Sequence, residues 1–184
     1  AFDPVRDWYV EDVQDFIFFQ TKPIQYKKNE IKGVFDDLDV NWEISDVTFD
    51  EGALLTSEVY HTTIQFLEIP FKLPVFSLEK DALVDRLMMM TGQHDINFES
   101  YKTFSERYSL RGPDEEAIKS FFNESLLSFF EESGIYHLES KGRGLLIFRY
   151  LRIASPVEIE EMVEYSHNLT LRLFDRYEKN NFQL

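Results

Sequence analysis

The apolar positions along the chain repeat first with a helical period and then with a strand period. Val5, Tyr9, Val13, Phe16 and Ile17 fall on one face of a helix that Asp3 can cap and Pro4 can open. This spacing predicts a helix over Asp3 to Gln20, ended by Pro23. From Ile31 to Phe35, and again through Leu38, Val40, Trp42 and Ile44, the pattern predicts two strands joined by a tight turn at Asp36-Asp37. The phase slips at Ser45-Asp46 and resumes at Val47 and Phe49, which predicts a β-bulge or a bend. After a turn at Asp50-Glu51-Gly52 comes a long strand with Tyr60, Thr62, Ile64 and Phe66 on one face. The three runs read as an antiparallel meander.

Leu73-Pro74-Val75-Phe76-Ser77 is a short extended piece whose proline belongs at a strand start or edge, and Ser77 can cap a helix running to about Met90. Gly112-Pro113-Asp114-Glu115-Glu116 opens a further helix with acids at its positive dipole end. Ile118, Phe121, Phe122, Leu126 and Phe129 form its buried stripe, and Gly134 ends it. Ile135 to Lys141 and Leu145 to Leu151 flank Gly142-Arg143-Gly144 as a hairpin, and its second strand, apolar on both faces, belongs at the centre of a sheet. Ser155-Pro156-Val157-Glu158 is a capping box with proline at the first helical position. The long final helix it opens carries the stripe Ile159, Met162, Val163, Leu169, Leu173, Phe174 and Tyr177.

These elements define an α+β fold in one domain over residues 1–184. An N-terminal helix (1–22), a β meander (30–78), a helical middle with two helices (79–133) and a hairpin plus long helix (134–184) follow one another. The meander and the hairpin are expected in one sheet, with a helix-grip-like arrangement as the alternative.

Length and composition narrow the function classes. A chain of 184 residues can bury roughly two-thirds of its unfolded surface, and 18 Phe give it a core of large side chains. Nineteen Lys and Arg against 34 Asp and Glu leave a formal net charge of -15, which argues against nucleic acid, because affinity for it comes from neutralising phosphates. The basic stretch Lys27, Lys28 and Lys32 reads instead as a solvated strand edge. With no cysteine, the chain has no thiol catalysis, iron-sulfur ligation or disulfide scaffold. No run approaches the roughly 18 apolar residues of a membrane span. A start at Ala1 with no signal segment reads as a fragment or processed product, so any anchor is expected outside these residues.

Candidate chemistry reduces to structural readings. His61, His94, His137 and His167 do not stand at the spacing of a zinc pair on one helix, and they read as structural histidines. His94-Asp95 lacks a serine in a nucleophile elbow and reads as a local turn. Asp36, Asp37 and Asp39, with Asp46, Asp50 and Glu51, could offer oxygens to calcium or magnesium, yet they lack the loop spacing such sites use. Gly142-Arg143-Gly144 lies between strands and so is not a phosphate loop, while Asn123-Glu124-Ser125 and Asn168-Leu169-Thr170 match the glycosylation pattern inside helices. No catalytic, metal or cofactor residue is therefore assigned.

Several stretches carry a resemblance: Ile31-Lys32-Gly33-Val34-Phe35, Leu73 to Glu79, Asp95-Ile96-Asn97-Phe98, Phe104 to Gly112, and the closing hairpin. In spacing and apolar pattern they resemble an uncharacterised bacterial family of α+β domains, often tethered to membranes by segments ahead of the domain. Lys80-Asp81 departs from the Pro-Glu of that pattern. The resemblance implies membrane association through a segment absent from this chain, and within it Phe104, Tyr108 and Leu110 read as core and Gly112 as a helix entry. The resulting expectation is a non-catalytic interaction or sensory domain with a protein partner. An apolar-ligand or lipid-binding domain and a metal-dependent hydrolase using Asp36, Asp37 and Asp39 are the alternatives.

Overall fold

The β-structure predicted for the meander and the hairpin forms one sheet in the computed structural model, which describes residues 10–20, 22–50, 59–80 and 95–181. Two short helices, α1 (Val10–Gln14) and α2 (Ile17–Gln20), precede β1 (Ile24–Phe35), β2 (Val40–Asp50), β3 (Val59–Glu68) and β4 (Phe76–Glu79). Then follow α3 (Lys102–Arg107), β5 (Ser109–Arg111), α4 (Glu115–Phe121), α5 (Glu124–Glu132), β6 (His137–Lys141), β7 (Gly144–Phe148) and α6 (Pro156–Asn181). The strands lie in the order β1-β2-β3-β7-β6-β4-β5, every neighbouring pair antiparallel. The result is an α+β fold with the apolar strand β7 in the middle of the sheet.

The sheet is buried on both faces, and this explains the phase slip in β2. Val40 and Ile44 join Leu67, Leu145, Ile147, Met162, Leu169 and Leu173 in the core beneath α6. Val47 and Phe49 point the other way, joining Val13, Phe16, Phe18, Phe19, Ile64, Leu146 and Phe148 beneath α1 and α2. β2 pairs with β3 in unbroken register from Asn41 to Asp50, so no bulge lies in β2. The change of phase is a change of which face is buried, which period-two reasoning mistakes for a slip. The irregularity sits across from it in β1, where Asn29 and Glu30 face Ser45 alone and Asn29 adopts φ 53°.

Four other expectations are corrected. Ser77 does not cap a helix: it is buried in β4, opposite Arg111 and Glu139, because Phe76 and Leu78 are drawn into the α6-side core. The helix expected after Gly112 is two helices. The Asn123 side chain accepts a hydrogen bond from the Leu126 N–H at 3.0 Å and starts a second helix, a local alternative to a continuous backbone ladder. The N-terminal helix is interrupted at Asp15–Phe16, since Phe16, Phe18 and Phe19 could not all bury on one helical face. Lys27 is not solvated, because its side chain is only 7 % exposed beside Glu30 and Glu43. Strand β5 and helix α3 carry the Phe104, Tyr108 and Leu110 core positions and have too few residues to show a period. Asp3-Pro4, Val5, Tyr9, Glu51 and Gly52 lie outside the described residues, as does the helix expected up to Met90 from Asp81 onward.

The final helix starts as its capping box requires: the Ser155 N–H donates to Glu158 Oε2 at 2.8 Å and the Glu158 N–H to Ser155 Oγ at 3.4 Å. The space between α6 and the sheet is filled by aliphatic and aromatic side chains, Tyr165 stacking on Tyr136 with ring centres 4.1 Å apart. Leu169 and Leu173 are 1 % and 2 % exposed. Leu169→Ala and Leu173→Ala are each expected to destabilise the domain by about 2–5 kcal/mol through lost burial and cavity formation, measured by urea denaturation.

Candidate functional site

The register of β1, β2, β3 and β7 aligns residues in rows across the sheet. One row runs Val34, Asn41, Glu68, Gly144, and the next runs Lys32, Glu43, Phe66, Leu146. Both rows point to the face that α1 and α2 cover, but those two helices end over Val47, Phe49, Ile64 and Phe148. Among the described residues nothing covers this face beyond Asp15 and Phe16, and the turn Lys141–Gly144 walls its side. The outcome is a groove of about 920 Å³ lined also by Gly33 and Trp42, within the size range of small-ligand sites.

Two glycines make this shape possible. Gly142 has φ +62°, which lets the β6–β7 hairpin close in a tight turn. At Gly144 a Cβ would come within 2.8 Å of the Phe66 ring and 3.2 Å of Phe16, so glycine is needed for those rings to pack edge to face, 6.1 Å apart. The floor is thus aromatic and aliphatic.

The rim is charged. Its lining holds three carboxylates, Asp15, Glu43 and Glu68, and three cations, Lys32, Lys141 and Arg143, so it is locally neutral in a chain of net charge -15. Lys141 bonds Asp15 Oδ2 at 2.8 Å and Arg143 lies 3.6 Å from Glu68 while donating to the Ile69 carbonyl. Under one side of the groove, Glu43 and Glu30 meet Lys27 and Lys32 in a four-member charge cluster. Burial pushes the Glu43 carboxyl up to about 7 even though Lys27 pulls it down, and burial lowers the Lys27 ammonium. The hydrogen bond that Lys32 donates to Glu30 raises the Lys32 ammonium.

A second polar cluster lies farther along the same face. Glu79 on β4, with His137 and Glu139 on β6, converge with donor atoms within 4.8 Å of one another, all buried. His137 Nε2 is 2.7 Å from Glu139 Oε1, which also accepts the Phe18 N–H at 2.9 Å, and the imidazole stacks on Phe148 with ring centres 4.2 Å apart. Sequence spacing could not find this group, because Glu79 meets the other two only through strand pairing. The alternating His137-x-Glu139 was its only local sign.

The residues weighed from sequence are scattered. Asp36, Asp37 and Asp39 occupy the β1–β2 turn, where Asp37 contacts His167 Nε2 at 2.9 Å, while Asp46 takes the Asn29 amide at 2.7 Å. His61 pairs with Thr48 at 2.9 Å. Asp95 bonds Arg111 Nε at 2.7 Å, and His94 lies outside the described residues. Asn123 caps α5 and Asn168 lies within α6. Lys32 and the turn Gly142-Arg143-Gly144 reach the groove, as do Phe16, Trp42 and Phe66, which the sequence pattern marks only as apolar positions.

No family model matches the sequence, and no curated protein matches it. The fold is similar to that in the crystal structure of the mycobacterial trehalose monomycolate transport factor A, TtfA. The TM-score is 0.55 at 12% identity over 94% of this chain and 87% of that chain. At that identity the likeness concerns the fold.

The charge cluster makes a pH prediction. With a folded pKa of about 7 against the ordinary 4.5 of a glutamate, Glu43 is protonated in the folded state over a range where it is ionised when unfolded. The folded state then binds more protons, so this group's contribution to stability is full below about 4.5 and is lost as pH rises through about 7. Thermal melts across that window are expected to show a smaller fall for Glu43→Gln than for the wild type.

Proposed function

We propose that this domain is a non-catalytic, lipid-handling accessory domain that holds the acyl chain of an amphiphile in the groove between β1–β3, β7 and the end of α1. The observation that carries this reading is the combination of an apolar floor of Phe16, Val34, Phe66 and Gly144 with a charge-balanced polar rim. Such a rim suits an uncharged, hydroxyl-rich head group, whose hydroxyls can both donate to carboxylates and accept from lysine and arginine. The structural neighbour supports the class, since its name describes a transport factor for a mycolate of trehalose. A bacterial setting, with the domain held near the membrane by a segment beyond these residues, accords with the resemblance read in the sequence. No helix among the described residues is long and apolar enough to cross a membrane.

An interaction role has a separate observation behind it. Tyr150, Leu151, Ile153 and Val157 expose apolar surface in the approach to α6, and Arg149 and Arg152 lie over the Tyr150 ring. This aromatic and cationic strip is the part of the surface best suited to a protein partner.

Binding of a fluorescent monoacyl glycolipid tests the lipid reading. Val34 is 46 % exposed on the groove wall, so Val34→Trp is expected to weaken binding at least about tenfold while stability stays within about 0.5 kcal/mol. Equal affinity in the two proteins, or no binding by the wild type, would overturn it.

A further inference from the structure

We infer that Glu79, His137 and Glu139 form a buried site for one divalent transition-metal ion, which ties β4 to β6. The site is separate from the groove and does not depend on the lipid reading. Its three residues come from two strands that are paired through Phe76–Leu78 and Leu138–Ser140. Continuing that register places Glu79 opposite His137. His137 and Glu139, two residues apart on one strand, face the same side.

Burial and unmet hydrogen bonding point to a missing partner. The side chains of His137 and Glu139 are each 1 % exposed and that of Glu79 5 %. One atom on each, His137 Nδ1, Glu79 Oε2 and Glu139 Oε2, is buried without a hydrogen bond among the described residues. Orphaned buried polar atoms are costly and uncommon, so three in one cluster require an explanation. Nδ1 and Glu79 Oε2 stand 4.0 Å apart. This is too long for a hydrogen bond and wide enough for an ion at roughly 2.0–2.2 Å from each. Glu139, held on the opposite ring nitrogen Nε2 at 2.7 Å, orients the imidazole from behind, and water or further chain oxygens complete the coordination.

Charge and donor chemistry agree. Two carboxylates need about two positive charges in a dry site. Arg111, in the same row as Ser77 and Glu139, gives its Nε to Asp95 at 2.7 Å, and its Nη2 is itself buried without a partner among the described residues. An imidazole with two carboxylates suits zinc or manganese, whereas calcium and magnesium prefer a shell of oxygens. Glu139 Oε1 also accepts from Phe18, so the ion would order the α2 backbone through the carboxylate that holds His137. The ring stacking of His137 on Phe148 and its edge contact with Phe18 fix the imidazole plane in advance.

The experiment uses the full chain, stripped with a chelator and dialysed against zinc or manganese. About one equivalent of metal is expected per chain, with a rise in melting temperature on loading. Glu79→Gln keeps the side-chain shape and is expected to lower affinity at least about tenfold. If the wild type takes up less than about 0.1 equivalent with an unchanged melting temperature, or if Glu79→Gln binds as the wild type does, the site does not exist. Should Glu79→Gln fail to fold, the imidazole 15N resonances of wild-type His137 decide. A zinc-induced shift of one ring nitrogen supports the site, and unchanged resonances reject it.

Discussion

The organisation of this domain depends on one strand that must satisfy two cores at once. β7 sends Leu145 and Ile147 toward α6 and Leu146 and Phe148 toward α1 and α2. Each such burial is worth roughly 1.5–3 kcal/mol, and the strand's backbone groups pair with β3 on one side and β6 on the other. Every other strand inherits its facing from this one through the register. Polar residues that land on the covered face must then find partners inside the fold. Thr62 does so by donating to the Tyr150 carbonyl at 2.6 Å, and Lys27, Glu30 and Glu43 do so by forming ion pairs.

The two faces are covered by unequal means. α6 is 26 residues long and, with α3 to α5, covers its side. α1 and α2 are 5 and 4 residues long, and among the described residues they cover the sheet only as far as Phe16. The groove is therefore a by-product of cover length: the same rows of the sheet are core under the helices and ligand-accessible floor beyond them. The aromatic contacts of Phe16 and Phe18 mark that border.

Much of the architecture was legible in the chain. The central place of β7, the Gly142 turn, the capping box at Ser155 and Glu158, and the meander all follow from local periods and turn chemistry. Less legible were positions where a local rule met a tertiary demand. Ser77 has the chemistry of a cap, but its neighbours Phe76 and Leu78 are core, and burial decided the outcome. Asn123 sits in an apolar helical stripe, yet its side chain competes with the ladder. The groove and the Glu79, His137 and Glu139 cluster were not legible, because each is assembled from strands distant in sequence. Their residues, read singly, look like ordinary strand positions.

The irregularity at Asn29 and Glu30 bears on how copies of this protein behave toward one another. β1 is a 12-residue outer strand, and an outer strand of that length offers a row of free backbone groups to any other extended chain. The left-handed turn at Asn29, anchored by its amide on Asp46, breaks that row into two short pieces with different phase. No straight strand can add along its full length. With the opposite outer strand, β5, only three residues long, the sheet is terminated at both ends. Edge-to-edge pairing between copies of the protein is thereby disfavoured.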